Sequence, residues 1–149
     1  MRVFLFFILI GILPACKLKK QSKDKTEATT TMQNHPEVET ITDYQRPSNP
    51  ASLTIVGAKI EGDLLHIDVS YSGGCTEHSF RLIFSGNYKK SMPPQASVYL
   101  EHDAKDDTCR SLVEKSLIFN IRKMRFPPEK PGTLIISIEG WNEQLKYVY

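Results

Sequence analysis

Apolar and polar residues alternate with a period of two through most of the chain from residue 51 onward, the spacing of half-buried β-strands. In GDLLHIDVSYSGG, Leu65, Ile67, Val69 and Tyr71 share one face, while His66, Asp68 and Ser70 share the other. In HSFRLIFSG, Phe80, Leu82 and Phe84 alternate with Ser79, Arg81 and Ser85. Val98 and Leu100 lie on one face of SVYLEH, and Leu117, Phe119 and Ile121 stand opposite Asn120 and Arg122 in KSLIFNIRK. SLTIVGAKI, TLIISIEG and QLKYVY bring the total to about seven short strands, the last two joined by GWNE. The pattern predicts an all-β domain over residues 51–149, an antiparallel β-sandwich of immunoglobulin-like proportions. A segment of this size holds one modest core. Asp103 to Val113 predicts a short helical turn, and Pro127-Pro128 with Pro131-Gly132 a longer loop.

Upstream the alternation stops. Residues 16–50 are rich in Lys, Thr, Ser, Gln, Asn and Glu and poor in large apolar side chains. Such a segment cannot offset its ordering entropy and predicts a disordered tether, with a flexible reach of roughly 30 Å. Ahead of it, Arg2 precedes an apolar run from Val3 to Leu13, shorter than the about 20 residues that span a bilayer. Residues 1–15 therefore read as a signal peptide. Leu13-Pro14-Ala15-Cys16 resembles the lipobox of bacterial lipoproteins, although proline is uncommon at its position. That resemblance implies acylation of Cys16, which becomes the new N-terminus and holds the protein to a membrane. An ordinary secretory signal is the alternative. Lysine, not aspartate, follows Cys16, and by resemblance to known sorting rules this implies delivery to the bacterial outer membrane, facing the periplasm. The basic run KLKKQSKDK also suits anionic headgroups.

The cysteines sharpen this reading. The chain has three; with lipid on Cys16, Cys75 and Cys109 remain as an even pair in an oxidising compartment. A disulfide between them would stabilise by roughly 3–4 kcal/mol. The competing use of the two thiols is a Cys₂His₂ zinc site with His78 and His102, which an exported location disfavours.

Two stretches carry candidate chemistry, SGGCTEHSF (Ser72–Phe80) and EHDAKDDTC (Glu101–Cys109). His78 continues the inward row of Phe80, Leu82 and Phe84, and His102 that of Val98 and Leu100, so the two imidazoles fall at one rim if their strands are neighbours. One reading makes His78, His102, Asp103 and Asp107 a divalent-metal site, with Glu77 and Asp106 as further donors, since imidazole nitrogen and carboxylate oxygen suit zinc. The other makes each histidine a hydrogen-bonded strand end. No HExxH or paired CxxC spacing is present, which favours the second. No GxSxG elbow or glycine-rich phosphate loop occurs, so no catalytic residue is assigned. Apart from the metal, no cofactor is implied. A net charge of +2 with dispersed lysines argues against a nucleic-acid partner. Trp141, in the last hairpin, is either a core plug or an exposed binding aromatic.

The run SGGCTEHSFRL, then Pro93-Pro94 before a strand, Leu100-Glu101-His102-Asp103, Asp107-Thr108-Cys109 and LIFNI, resembles small lipoproteins of Bacteroidetes-type bacteria of the NigD-like β-sandwich kind. It covers about residues 70–123 and implies export, a lipid anchor and a sandwich, but no activity. The resulting expectation is an envelope lipoprotein whose domain binds an envelope protein or serves as a structural part. A metal-dependent protein using the His/Asp rim and a periplasmic enzyme inhibitor are the alternatives.

Overall fold

Each alternating segment becomes a strand. The computed structural model describes residues 34–128 and 130–149; the predicted signal peptide and Cys16 lie outside the described residues. The strands are β1 (Glu39–Thr40), β2 (Thr54–Glu61), β3 (Leu64–Gly73), β4 (Ser79–Phe84), β5 (Gln95–Asp103), β6 (Ser111–Asn120), β7 (Thr133–Ile138) and β8 (Gln144–Val148). A single 3-10 turn spans Arg122–Met124, and no α-helix occurs among the described residues. The strands form two sheets, β2-β3-β6 and β1-β4-β5-β7-β8. The result is the predicted β-sandwich.

The smaller sheet is antiparallel throughout, with Leu64 facing Asn120 and Gly73 facing Ser111 along β3 and β6. Gly62, at φ +59, supplies the left-handed turn between β2 and β3. In the larger sheet β4–β5 and β7–β8 are antiparallel, whereas β1–β4 and β5–β7 are parallel. The β5–β7 polarity has a simple origin. Between those strands the chain crosses to the other sheet as β6 and returns, so β7 enters from the same end as β5.

The core is the set of inward rows. Leu65, Ile67, Val69 and Tyr71 of β3, with Phe119 beside Leu65 in β6, pack with Leu82 and Phe84 of β4, Val98 and Leu100 of β5, Ile136 and Tyr147 of the other sheet. Full burial of each such side chain contributes about 1.5–3 kcal/mol. Trp141 is partly buried against this cluster, which makes it a core-edge residue.

Two expectations need correction. The first concerns residues 16–50, expected as tether: from Pro36 the chain already belongs to the fold. Val38 donates to the Asn120 carbonyl and Asn120 donates to the Pro36 carbonyl, both at 2.9 Å. Val38 is 1% exposed. β1 then runs beside β4, Glu39 opposite Ile83. This explains why Ile83 is buried although it points away from Leu82 and Phe84: Ile41 and Tyr44 line a cleft with it. Arg81 clamps the added strand through Glu39, at 2.6 and 3.0 Å. The second concerns Asp103–Val113, where no helical turn forms. Asp107 N–H bonds the Ala104 carbonyl at 3.0 Å, and Lys105 and Asp106 take positive φ of 47° and 58°. A left-handed pair cannot continue a right-handed helix, and β6 starts at Ser111.

The opposite end of the sandwich is tied by Asp63, Arg125 and Tyr147. Arg125 Nη2 donates to both Asp63 oxygens at 2.6 and 2.8 Å, and the Tyr147 hydroxyl donates to Asp63 as well. Burial raises the Asp63 carboxyl, but the Tyr147 and Arg125 bonds outweigh it and leave it below its ordinary value. Burial, with the Asp63 acceptor, pushes Tyr147 up to about 12.

Candidate functional site: a carboxylate and two imidazoles

The rim at the end of β3 brings together three of the four residues proposed as metal ligands. β4 and β5 pair with Phe80 opposite His102 and Ser79 opposite Asp103. His102 therefore sits across from the inward row, and His78, two residues before Phe80, lies diagonally beside it. Each histidine is only 4% exposed. His78 Nδ1 and His102 Nε2 are 2.8 Å apart, and His78 Nε2 is 3.2 Å from Asp107 Oδ2. Asp103 turns away, its Oδ1 accepting from Lys105 N–H at 2.9 Å.

Asp107 organises the array. Its Oδ2 accepts the backbone N–H groups of Gly74, Cys75 and Thr76 at 2.9–3.0 Å, and its Oδ1 accepts that of Cys109 at 2.8 Å. The Cys75–Cys109 disulfide, with Cα atoms 5.9 Å apart, joins the same two loops. Covalent and hydrogen-bonded ties thus act on one pair of segments. The Cys109 and Thr76 amides, with those of Cys75 and the His78 ring, hold the Asp107 carboxyl well below the usual carboxylate range.

The proton arrangement follows from these partners. His78 Nε2 faces a carboxylate, so it carries hydrogen and donates. In the neutral His78 ring Nδ1 is then the acceptor, and His102 Nε2 donates to it. Burial lowers the His102 pKa, the neighbouring His78 lowers it further, and the adjacent Ala51 and Ser52 backbone pulls more weakly the other way. His102 Nδ1 is buried and has no hydrogen-bond partner among the described residues. Around the rings, Phe80 stacks on His102 at 4.8 Å with planes 2° apart, and Tyr71 packs against both imidazoles at 4.7 and 5.0 Å.

The pKa directions predict a pH dependence. Folded His102 binds a proton less readily than unfolded His102, so unfolding takes up protons. Stability is therefore lost as pH falls below the ordinary value of 6.5 toward the folded one, with a slope of up to about 1.4 kcal/mol per pH unit. Asp107 acts in a lower window: its contribution is present above 3.8 and is lost as pH falls from there toward its folded value. Urea midpoints from pH 8 to pH 5 are expected to decline in the wild type and to flatten in His102→Gln. A wild-type midpoint constant over that range contradicts the buried neutral imidazole.

As a chemical device the array holds more than it offers. Both His78 nitrogens are engaged, and Asp107 is saturated by four amides and a ring. A metal ion bound by the histidines would need their mutual hydrogen bond to open. Cys75, Asp107 and Cys109 also place donor atoms within 4.8 Å of one another, but the two sulfurs are bonded together. Among the described residues neither imidazole bonds a serine, threonine or thiol. Each histidine forms part of a separate surface cleft, His78 with Glu77, Phe80 and Lys115, His102 with Ala51, Glu101 and Asp106.

No protein-family model matches the chain, and no curated protein matches it in sequence. Among solved structures, a protein designated toxin-related from Parabacteroides distasonis aligns at 18% identity with a TM-score of 0.50, covering 76% of this chain and 61% of its own. A protein designated a lipoprotein from Bacteroides fragilis aligns at 12% identity with a TM-score of 0.47, covering 77% of this chain and 68% of its own. At such identities the likeness to the first concerns the fold. This chain spans less than two thirds of that protein.

Proposed function

We propose that this protein is an exported, lipid-anchored component of a bacterial cell envelope whose sandwich acts by binding rather than by catalysis. The observation that carries the reading is the Cys75–Cys109 disulfide. It suits an oxidising compartment and leaves Cys16, at the end of an apolar leader, as the one cysteine of three with no partner in the chain. Acylation gives that thiol a use. The Asp107–His78–His102 array then serves as a buried polar clasp that fixes the two loops at the rim. The resemblance of residues 70–123 to NigD-like lipoproteins supports export and a lipid anchor, and the lysine after Cys16 favours placement at the outer membrane, facing the periplasm.

Cell fractionation tests the anchor. Cys16→Ala is expected to move the protein from the membrane fraction to the soluble fraction without changing its melting temperature. Retention of Cys16→Ala in the membrane fraction, resisting high salt, would count against lipid attachment at this residue.

A further inference from the structure

The end of the sandwich away from the disulfide carries two exposed apolar side chains on loops that are tied together. Met92, at the tip of the β4–β5 loop, is 97% exposed, and Phe126, after the 3-10 turn, is 50% exposed. The loops are fixed. Lys89 N–H bonds the Gln95 carbonyl at 2.8 Å, and Ser91 Oγ bonds the Pro93 carbonyl at 2.7 Å. Tyr88 joins the two loops, donating to the Met124 carbonyl at 3.2 Å and stacking on Phe126 at 4.6 Å. Tyr149 brackets the Phe126 backbone through its hydroxyl, at 2.7 Å to both N–H and carbonyl. Neither side chain is placed by looseness.

The charge next to Met92 in sequence is basic. Glu37 is paired with Lys123, and Asp63 with Arg125. Lys89 and Lys90, exposed and next to Met92, enter no ion pair among the described residues. Two protruding apolar groups beside unpaired lysines form a convex tip, not a groove. A convex tip of this chemistry suits a soft surface with an apolar interior and anionic headgroups better than a protein cleft.

We propose that the tip formed by Met92 and Phe126, with Lys89 and Lys90, rests on an anionic lipid bilayer and orients the domain on it. The proposal builds on the lipid-anchor reading, but its test leaves Cys16 out, so the two can fail separately.

Residues 34–149 hold all the described core contacts and form one compact unit, and this unit is expressed alone. Co-sedimentation is measured with vesicles of phosphatidylcholine and of phosphatidylcholine with an equal share of phosphatidylglycerol. Binding is expected on the anionic vesicles and is expected to weaken at high salt. Met92→Ser with Phe126→Ser is expected to lower the partition coefficient at least about tenfold. Lys89→Gln with Lys90→Gln is expected to lower it several-fold on anionic vesicles alone. An environment-sensitive fluorophore at position 92 is expected to shift to the blue with anionic vesicles. Equal binding by the apolar double variant and the wild type, with matching melting temperatures, would overturn the proposal. Absence of binding to either vesicle, or no shift at position 92, would do so as well.

Discussion

Replacing Cys75 and Cys109 together by serine is expected to lower the unfolding free energy by about 3–4 kcal/mol, the chain-entropy value for a loop closed over a separation of 34 residues. The effect should be read in urea, as a lower midpoint with little change in slope, and reductant on the wild type should reproduce it. The bond does more than shorten the unfolded chain. Cys75 N–H and Cys109 N–H both donate to Asp107, so parting the sulfurs also loosens the carboxylate that orients His78. The pH dependence near 6.5 is therefore expected to weaken in the same variant. A loss below about 1 kcal/mol would mean that the amide cradle holds these loops without the covalent bond.

Gly73→Ala is the second large effect. Gly73 is the last residue of β3 and is buried. An added Cβ would lie 2.6 Å from both Cε1 and Nε2 of His78 and 3.2 Å from Asp107 Oδ2. The ring cannot yield without cost, because its two nitrogens are held by Asp107 and His102. Overpacking costs typically 1–3 kcal/mol and occasionally more, and about 3 kcal/mol is expected here. Gly57→Ala in β2 is the control: its nearest contact would be Asp68 Oδ2 at 3.8 Å, an ordinary distance. A double-mutant cycle isolates the clash. In a His78→Ala background, Gly73→Ala should cost much less. An unchanged cost would show that the His78 ring is not what fills the space above Gly73.

Much of this was legible in the strand pattern. Because the β period is two, the phase of Phe80, Leu82 and Phe84 put His78 on the inner face, and that of Val98 and Leu100 did the same for His102. Their meeting required only that β4 and β5 be neighbours. The role of Asp107 was harder to read. As the second residue before Cys109 it could be expected to bond that backbone N–H, as it does. Its hold on residues 74–76, in contrast, depends on a loop 31 to 33 positions away in sequence. Nothing local marks it.

β1 was missed for a related reason. Around Val38 the chain is polar, and Val38 and Ile41 are the only large aliphatic residues between Asn34 and Tyr44. Two apolar residues do not make a periodic signal. The segment is ordered by partners supplied elsewhere, namely Asn120 at the end of β6, the edge of β4 and Arg81. The left-handed pair Lys105 and Asp106 was hidden in the same way, since polar residues followed by a short apolar stretch read equally well as a helical turn.

The central claim joins the lipid anchor to the disulfide, and one measurement addresses both. The full-length chain, expressed in a bacterial host and extracted from membranes with detergent, is alkylated without reductant and weighed intact. The predicted mass is that of residues 16–149 increased by the acyl groups on Cys16, decreased by two hydrogens for Cys75–Cys109, and free of alkyl label. A chain whose mature end is not Cys16, an alkylated Cys16, or label on Cys75 and Cys109 would contradict the account.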